Sequence, residues 1–234
     1  MGLTPNLMKR KATKAFTLIE LLVVISIILI ASSIIFIGGT GGDGASLSSS
    51  QRIVSGIAQG ARGQAILKNA KVRLIINNDA SDTERFRRFF GIVYEGTDAN
   101  GVTGWIAATQ GTYLPEGIYF DAATSSAESD SGAIWSTTNT IRLDFPKTLA
   151  EAGTGGAEYY YYEFSSNGNA AAPNAYLVLR AATLLTDAGG VSELRVGDEQ
   201  AFLRTGLIFR RVGSTTKVED PEAIDPSDTS RITI

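Results

Sequence analysis

Residues 46–69 read SLSSSQRIVSGIAQGARGQAILKN. Apolar or small residues recur there at Leu47, Val54, Ile57, Ala58, Ala61, Ala65 and Ile66, close to the 3.6-residue period of an amphipathic helix. Asn69 supplies a stop. Gly56, Gly60, Ala61 and Gly63 make the face small, which lets a sheet approach closely. On the C-terminal side the pattern changes to short β-branched or aromatic runs. Strands are expected at 71–77, 89–95, 105–108, 118–121, 140–145, 159–165, 176–181 and 202–212. Turn-rich stretches such as 96–104 and 125–132 separate them, and no internal repeat is evident. One helix followed by regularly spaced strands predicts an α+β domain, the helix laid on antiparallel sheet.

On the N-terminal side, residues 38–44 (GGTGGDG) hold five glycines in seven positions. Each costs a helix interior about 1 kcal/mol relative to Ala, so a joint is expected over 38–45. Gly39, Gly41 and Gly44 satisfy G-x-G-x-x-G, but a dinucleotide fingerprint needs a preceding strand. What precedes is an apolar run of 22 residues, Phe16 to Ile37. As a helix it measures about 33 Å, against about 30 Å of bilayer hydrocarbon. Lys9, Arg10, Lys11 and Lys14 cluster before it, which places the N-terminus in the cytoplasm and the following domain across the membrane. A secretory signal cut near Ser32, Ser33 or Gly38 is the competing reading, although its apolar core would be shorter. Glu20 lies one turn inside the run, where a central carboxylate costs roughly 2.5–3.5 kcal/mol. It either reaches the membrane edge or meets a cation, such as an α-amino group exposed four residues earlier on a neighbouring copy.

The chain has no His and no Cys among its 234 residues. This excludes a Ser-His-Asp triad, a thiol nucleophile, disulfides and zinc held by its usual ligands. With 44% hydrophobic and 19% charged residues it is neither a disordered chain nor a multipass membrane protein. Ser214 to Lys217 matches S-x-x-K, but the Ser-Asp-Asn and Lys-Thr-Gly partners of that motif do not occur, so a turn is expected. Asp198 and Glu199 are adjacent carboxylates in a Gly-flanked turn, where solvation is the usual fate. Arg85 to Phe90 interleaves cations with aromatics, a composition suited to single-stranded nucleic acid. An edge strand with arginines facing water is the plainer expectation. Tyr159 to Tyr162 reads as a buried strand. Glu219, Asp220, Glu222, Asp225 and Asp228 make residues 219–234 an acidic tail without EF-hand spacing. No catalytic residue, metal site or cofactor is expected.

Lys14 to Val24, KAFTLIELLVV, closely resembles the cleavage and methylation segment of type IV pilins and type II secretion pseudopilins. The resemblance implies a leader of residues 1–15, cut between Ala15 and Phe16 by a prepilin peptidase, with the new Phe16 amine methylated. Ala15 departs from the glycine usual there. The resemblance also implies a transmembrane and assembly helix over 16–37 and an assembly role for Glu20. It implies a pilin-like head over 46–218, periplasmic and anchored in the inner membrane. Loss of the leader takes Lys+Arg from 21 to 17 against 24 Asp+Glu, a net charge of −7.

Ala61 to Ile66, Asn69, Val72 to Leu74, Leu114 to Ile118 and Thr205-Gly206 are similar to landmarks of the H-type minor pseudopilins. That family implies a non-enzymatic filament subunit whose partners are the peptidase, other pseudopilins and the inner membrane. The alternative is a type IV pilus subunit for DNA uptake or adhesion, in which Arg204, Arg210 and Arg211 would bind DNA. Leu207 stands where those relatives carry Arg, and the acidic mature chain argues against nucleic acid. A membrane-anchored periplasmic hydrolase using carboxylates alone is the third reading.

Overall fold

A computed structural model describes residues 18–26, 43–125, 140–146 and 155–219. The chain divides into two compact units, Met1–Gly41 and Gly42–Ile234. In the first, residues 18–26 are helical (α1). Among the described residues no helix is long and apolar enough to cross a membrane, and the expected span 16–37 is described only over α1.

In the second unit, α2 spans Asp43–Lys68. It begins earlier than expected, inside the glycine-rich stretch, with Gly44 in its first turn. Its buried stripe is Leu47, Gln51, Val54, Ala58, Ala61 and Ala65, with Ser50 beside it. Gly56 and Gly63 lie on the exposed side with nothing within 4 Å of where a Cβ would stand. Ala58, Ala61 and Ala65 therefore make the small face, and the expectation for those two glycines is corrected. Asn69 closes the helix in the left-handed region, φ 48°. Its N–H bonds Ile66 O and that of Ala70 bonds Ala65 O, both at 3.3 Å, which satisfies two carbonyls left over at the helix end.

Two antiparallel sheets pack on α2. The larger comprises β1 (Val72–Asn77), β2 (Phe89–Thr97), β3 (Thr103–Ala107), β4 (Thr112–Tyr113), β6 (Thr140–Leu143) and β7 (Ala157–Phe164). Its order is β3-β2-β1-β7-β6, with β4 beside β2. The smaller has the order β12-β11-β8-β5, from β5 (Ile118–Phe120), β8 (Tyr176–Ala181), β11 (Arg204–Phe209) and β12 (Thr215–Val218). A separate ribbon pairs β9 (Thr183–Thr186) with β10 (Ser192–Arg195). The single expected sheet is thus divided.

The α+β expectation holds, and the reason is visible in β1. Val72, Leu74 and Ile76 join the core against α2, while Ile75 joins a second cluster with Trp105, Phe145 and Tyr159 on the opposite face. A strand buried on both faces reads as a continuous apolar run. Tyr162 stacks on Phe209 at 4.4 Å, joining the sheets, and its hydroxyl donates to Tyr176 O at 2.7 Å.

Strands β4, β9, β10 and β12 were not expected from the sequence. The expected strand at 202–212 shrinks to β11, leaving Phe202 82% exposed. A repeat also emerges. Thr97 to Val102 (TDANGV) and Thr186 to Val191 (TDAGGV) differ at one position and form the same hairpin tip. Asp98 Oδ1 accepts from Asn100 N at 2.9 Å and Val102 N at 2.8 Å. Asp187 Oδ1 accepts from Gly189 N and Val191 N, both at 2.8 Å. Gly101 and Gly190 take φ of 82° and 81°, which glycine adopts without strain.

Candidate functional site

The cleavage pair Ala15 and Phe16 lies outside the described residues. Glu20 sits on α1 and is exposed there, with Leu18 and Ile19 beside it. In a helix, positions 16 and 20 are one turn apart on the same side.

The head holds α2 through a polar clamp that the sequence did not advertise. Gln51, buried within the apolar stripe, donates to Thr205 Oγ1 at 2.6 Å and Gly206 O at 2.9 Å, with Val218 O at 3.2 Å. Ser55 and Thr215 hydroxyls meet at 2.8 Å. A buried amide left unpaired costs about 1–3 kcal/mol, so these bonds set the register of α2 against β11 and β12. A glutamine inside an otherwise apolar stripe was the available signal.

Arg204, Arg210 and Arg211 do not converge. Arg204 opens β11 opposite Arg180, whereas Arg210 follows its end and donates to Thr216 Oγ1 at 2.9 Å. Six residues of extended chain separate them by about 20 Å. Arg211 is exposed in the turn after β11.

Arg85 to Arg88 occupy a turn, not the expected edge strand, and β2 begins only at Phe89 inside the sheet. Their side chains are engaged within the head. Arg85 lies 3.6 Å from Asp82, Arg87 Nε donates to Asn78 Oδ1 at 3.3 Å, and Arg88 donates to Leu114 O at 3.1 Å. The carboxylate-rich stretch 79–82 folds this segment back, because Asp82 accepts the Arg85 N–H as a turn requires.

The remaining motifs resolve locally. Ser214 and Lys217 are three positions apart, and β12 covers Thr215–Val218 where a turn was expected. Along a strand that spacing turns the two side chains to opposite faces, so lysine cannot activate the serine. Asp198 and Glu199 lie exposed in a single 3-10 turn, Asp198–Gln200. Among the described residues no group of acids is placed to hold a metal. The acidic tail beyond Glu219 and the glycine joint at 38–42 lie outside the described residues. Tyr159 and Tyr162 are buried on opposite faces of β7, while Tyr160 and Tyr161 are half-buried.

A cavity of about 280 Å³ is lined by Arg73, Tyr161, Tyr162, Glu163, Phe209 and the three alanines Ala170, Ala171 and Ala172. Its two charged groups pair with each other. Arg73 pairs with Glu163 at 2.8 Å and lies 3.9 Å from the Tyr161 ring and 4.2 Å from that of Trp105. Burial pushes the Tyr162 phenol well above its ordinary value, against a hydrogen bond with Ser125. Burial likewise raises Tyr119, Tyr159 and Tyr176. These shifts hold the phenols in their neutral, protonated form near pH 7.

Comparison with known proteins bears on the N-terminus. Residues 10–36 match the family described as the prokaryotic N-terminal methylation motif, so the chain carries that motif. Curated proteins give no significant match. Among solved structures, the minor pseudopilin EpsH from the type 2 secretion system of Vibrio cholerae is similar at 15% identity. The alignment covers 75% of this chain and 96% of that one, with a TM-score of 0.41. At that score the likeness carries no weight on function.

Proposed function

We propose that the chain is a minor pseudopilin of a type II secretion system, a structural subunit and not an enzyme. A prepilin peptidase removes residues 1–15 and methylates Phe16, and the helix from Phe16 to Ile37 anchors the subunit in the inner membrane with its head in the periplasm. Filament growth then packs these helices together, with Glu20 of one subunit paired to the Phe16 amine of another. The observation that carries this reading is the methylation motif over residues 10–36, which includes the Phe-Thr-Leu-Ile-Glu run at 16–20. The physical case is that a protonated amine offsets the cost of a carboxylate in hydrocarbon, about 2.5–3.5 kcal/mol when central.

The test is mass analysis of the N-terminus after coexpression with a prepilin peptidase. The expected mature chain starts at Phe16 with one added methyl group. An intact leader, or a cut near Gly38, overturns the reading. Salt-dependent DNA binding that is lost on replacing Arg204, Arg210 and Arg211 would instead select the DNA-uptake pilus subunit.

A further inference from the structure

The chain holds two Asn-Gly dipeptides, Asn100-Gly101 and Asn167-Gly168, and the fold places both in the same kind of turn. Each glycine N–H donates to the carbonyl three residues back, Gly101 to Asp98 O at 3.1 Å and Gly168 to Ser165 O at 2.7 Å. A second bond closes each loop, from Asp98 N to Val102 O and from Ser165 N to Asn169 O, both at 2.9 Å. The two glycines take φ of 82° and 79°. Both asparagines are exposed. Backbone and exposure being alike, a difference in the chemistry of the two amides must come from what holds each side chain and what packs on each glycine.

Those surroundings differ. Among the described residues the only side-chain bond of Asn100 is a long one, Nδ2 to Asp98 Oδ2 at 3.4 Å. Nothing stands within 4 Å of where a Cβ on Gly101 would lie. Asn167 is held at its carbonyl, where Oδ1 accepts from Ser165 Oγ at 2.6 Å and from Asn169 N at 3.1 Å. Gly168 is buried, and a Cβ there would stand 2.8 Å from Ile66 Cδ1 and 3.1 Å from Arg62 Cγ. Gly213 closes the other side, since a Cβ on it would collide with Gly168 O. The tip at 165–169 is wedged between the end of α2 and the β11–β12 turn, whereas the tip at 98–102 is open.

We propose that Asn100 is a site of spontaneous deamidation through a cyclic imide, and that the fold protects Asn167 from the same reaction. In the first step Gly101 N attacks Asn100 Cγ, so an N–Cγ bond forms and the Cγ–Nδ2 bond breaks. Hydroxide takes the Gly101 N–H proton, and water returns a proton to the departing nitrogen, which leaves as ammonia. Water then opens the imide. Addition at Cγ breaks the new bond and leaves aspartate. Addition at the Asn100 main-chain carbonyl carbon breaks its bond to Gly101 N and leaves isoaspartate, with Cβ now part of the backbone. Either product adds a negative charge beside Asp98. The iso form also lengthens the loop that closes the Thr97–Thr103 pair. At Asn167 the same attack must give up two hydrogen bonds to the reacting carbonyl and make room for backbone against Ile66 and Arg62. The chemistry is independent of the filament reading above.

The second tip of the repeat supplies a transfer test. Gly189 stands where the first tip has Asn100, and Gly190 has φ 81° with nothing within 4 Å of its Cβ position. Gly189→Asn should therefore install a second reactive amide.

The full-length chain in detergent is kept at mildly alkaline pH in heavy-oxygen water, digested under acidic conditions and mapped by mass spectrometry, with a parallel sample unfolded in urea. In the folded chain Asn100 should convert with uptake of heavy oxygen, the iso product in excess, and Asn167 should convert at least about tenfold more slowly. In urea the two should convert at comparable rates. The Gly189→Asn variant should convert at 189 about as fast as at Asn100. Equal rates for Asn100 and Asn167 in the folded chain overturn the proposal. So does an Asn100 that stays intact in the folded chain, or a Gly189→Asn variant that stays intact at 189 while Asn100 converts.

Discussion

The two hairpin tips TDANGV and TDAGGV are nearly the same peptide, yet they crown different structures. The tip at 97–102 joins strands inside the six-stranded sheet, where Trp105 is buried and covered by the Arg73 guanidinium. The tip at 186–191 joins a two-stranded ribbon whose cross-strand pair, Leu184 and Leu194, is only half-buried. An aspartate that accepts two backbone N–H groups and a glycine at positive φ write the turn locally. What lies beneath the strands decides whether the hairpin is part of the fold or an outgrowth from it, since an isolated two-stranded ribbon is marginal in water.

The strongest way to break that contrast is to remove the buried support. Trp105→Ala should lower the stability of the head by about 3–5 kcal/mol, measured by urea unfolding followed by circular dichroism. Leu194→Ala on the ribbon should cost less than about 1.5 kcal/mol. Equal losses would mean that the ribbon is as integrated as the sheet hairpin.

A smaller effect separates local from global stability. Gly101→Val and Gly190→Val each put a β-branched residue at φ above 80°, at about 1–2 kcal/mol. The first should register in global unfolding, and the second only in faster amide exchange over 183–195, because weakly supported elements open on their own. The smallest change sharpens the identity of the tips. Gly189→Asn makes the second tip match the first at a glycine without positive φ, so unfolding should shift by no more than about 0.5 kcal/mol.

Periodicity was a good guide wherever a segment met one kind of neighbour. The stripe from Leu47 to Ala65 and the stop at Asn69 were legible because a helix against a core must repeat every 3.6 residues. Strands β1, β2, β7 and β8 were legible as apolar runs because each is an inner strand of its sheet. Strands β4, β9, β10 and β12 escaped because they are short and mostly half-buried or exposed, so their residues carry little apolar signal. The turn at 85–88 resembled a strand because aromatics beside arginines suit a half-buried sheet as well as a folded-back loop. The place of Gln51 within the apolar stripe was legible, but its bonding partners were not, since they lie more than 150 positions away.

By itself, the amino-acid sequence determined what depends on neighbours along the chain. These were the amphipathic spine, the strand-rich α+β character, the motif over residues 10–36 and the exclusion of histidine and cysteine chemistry. Only the tertiary structure decided what depends on residues far apart in sequence. It divided the strands into two sheets, buried Gln51 against Thr205 and set Arg204 and Arg210 at opposite ends of β11. Helical and strand periods arise from backbone geometry over a few residues. Contacts more than 150 positions apart, such as that of Gln51 with Thr205, depend on which surfaces can be buried together, and no local pattern encodes that choice.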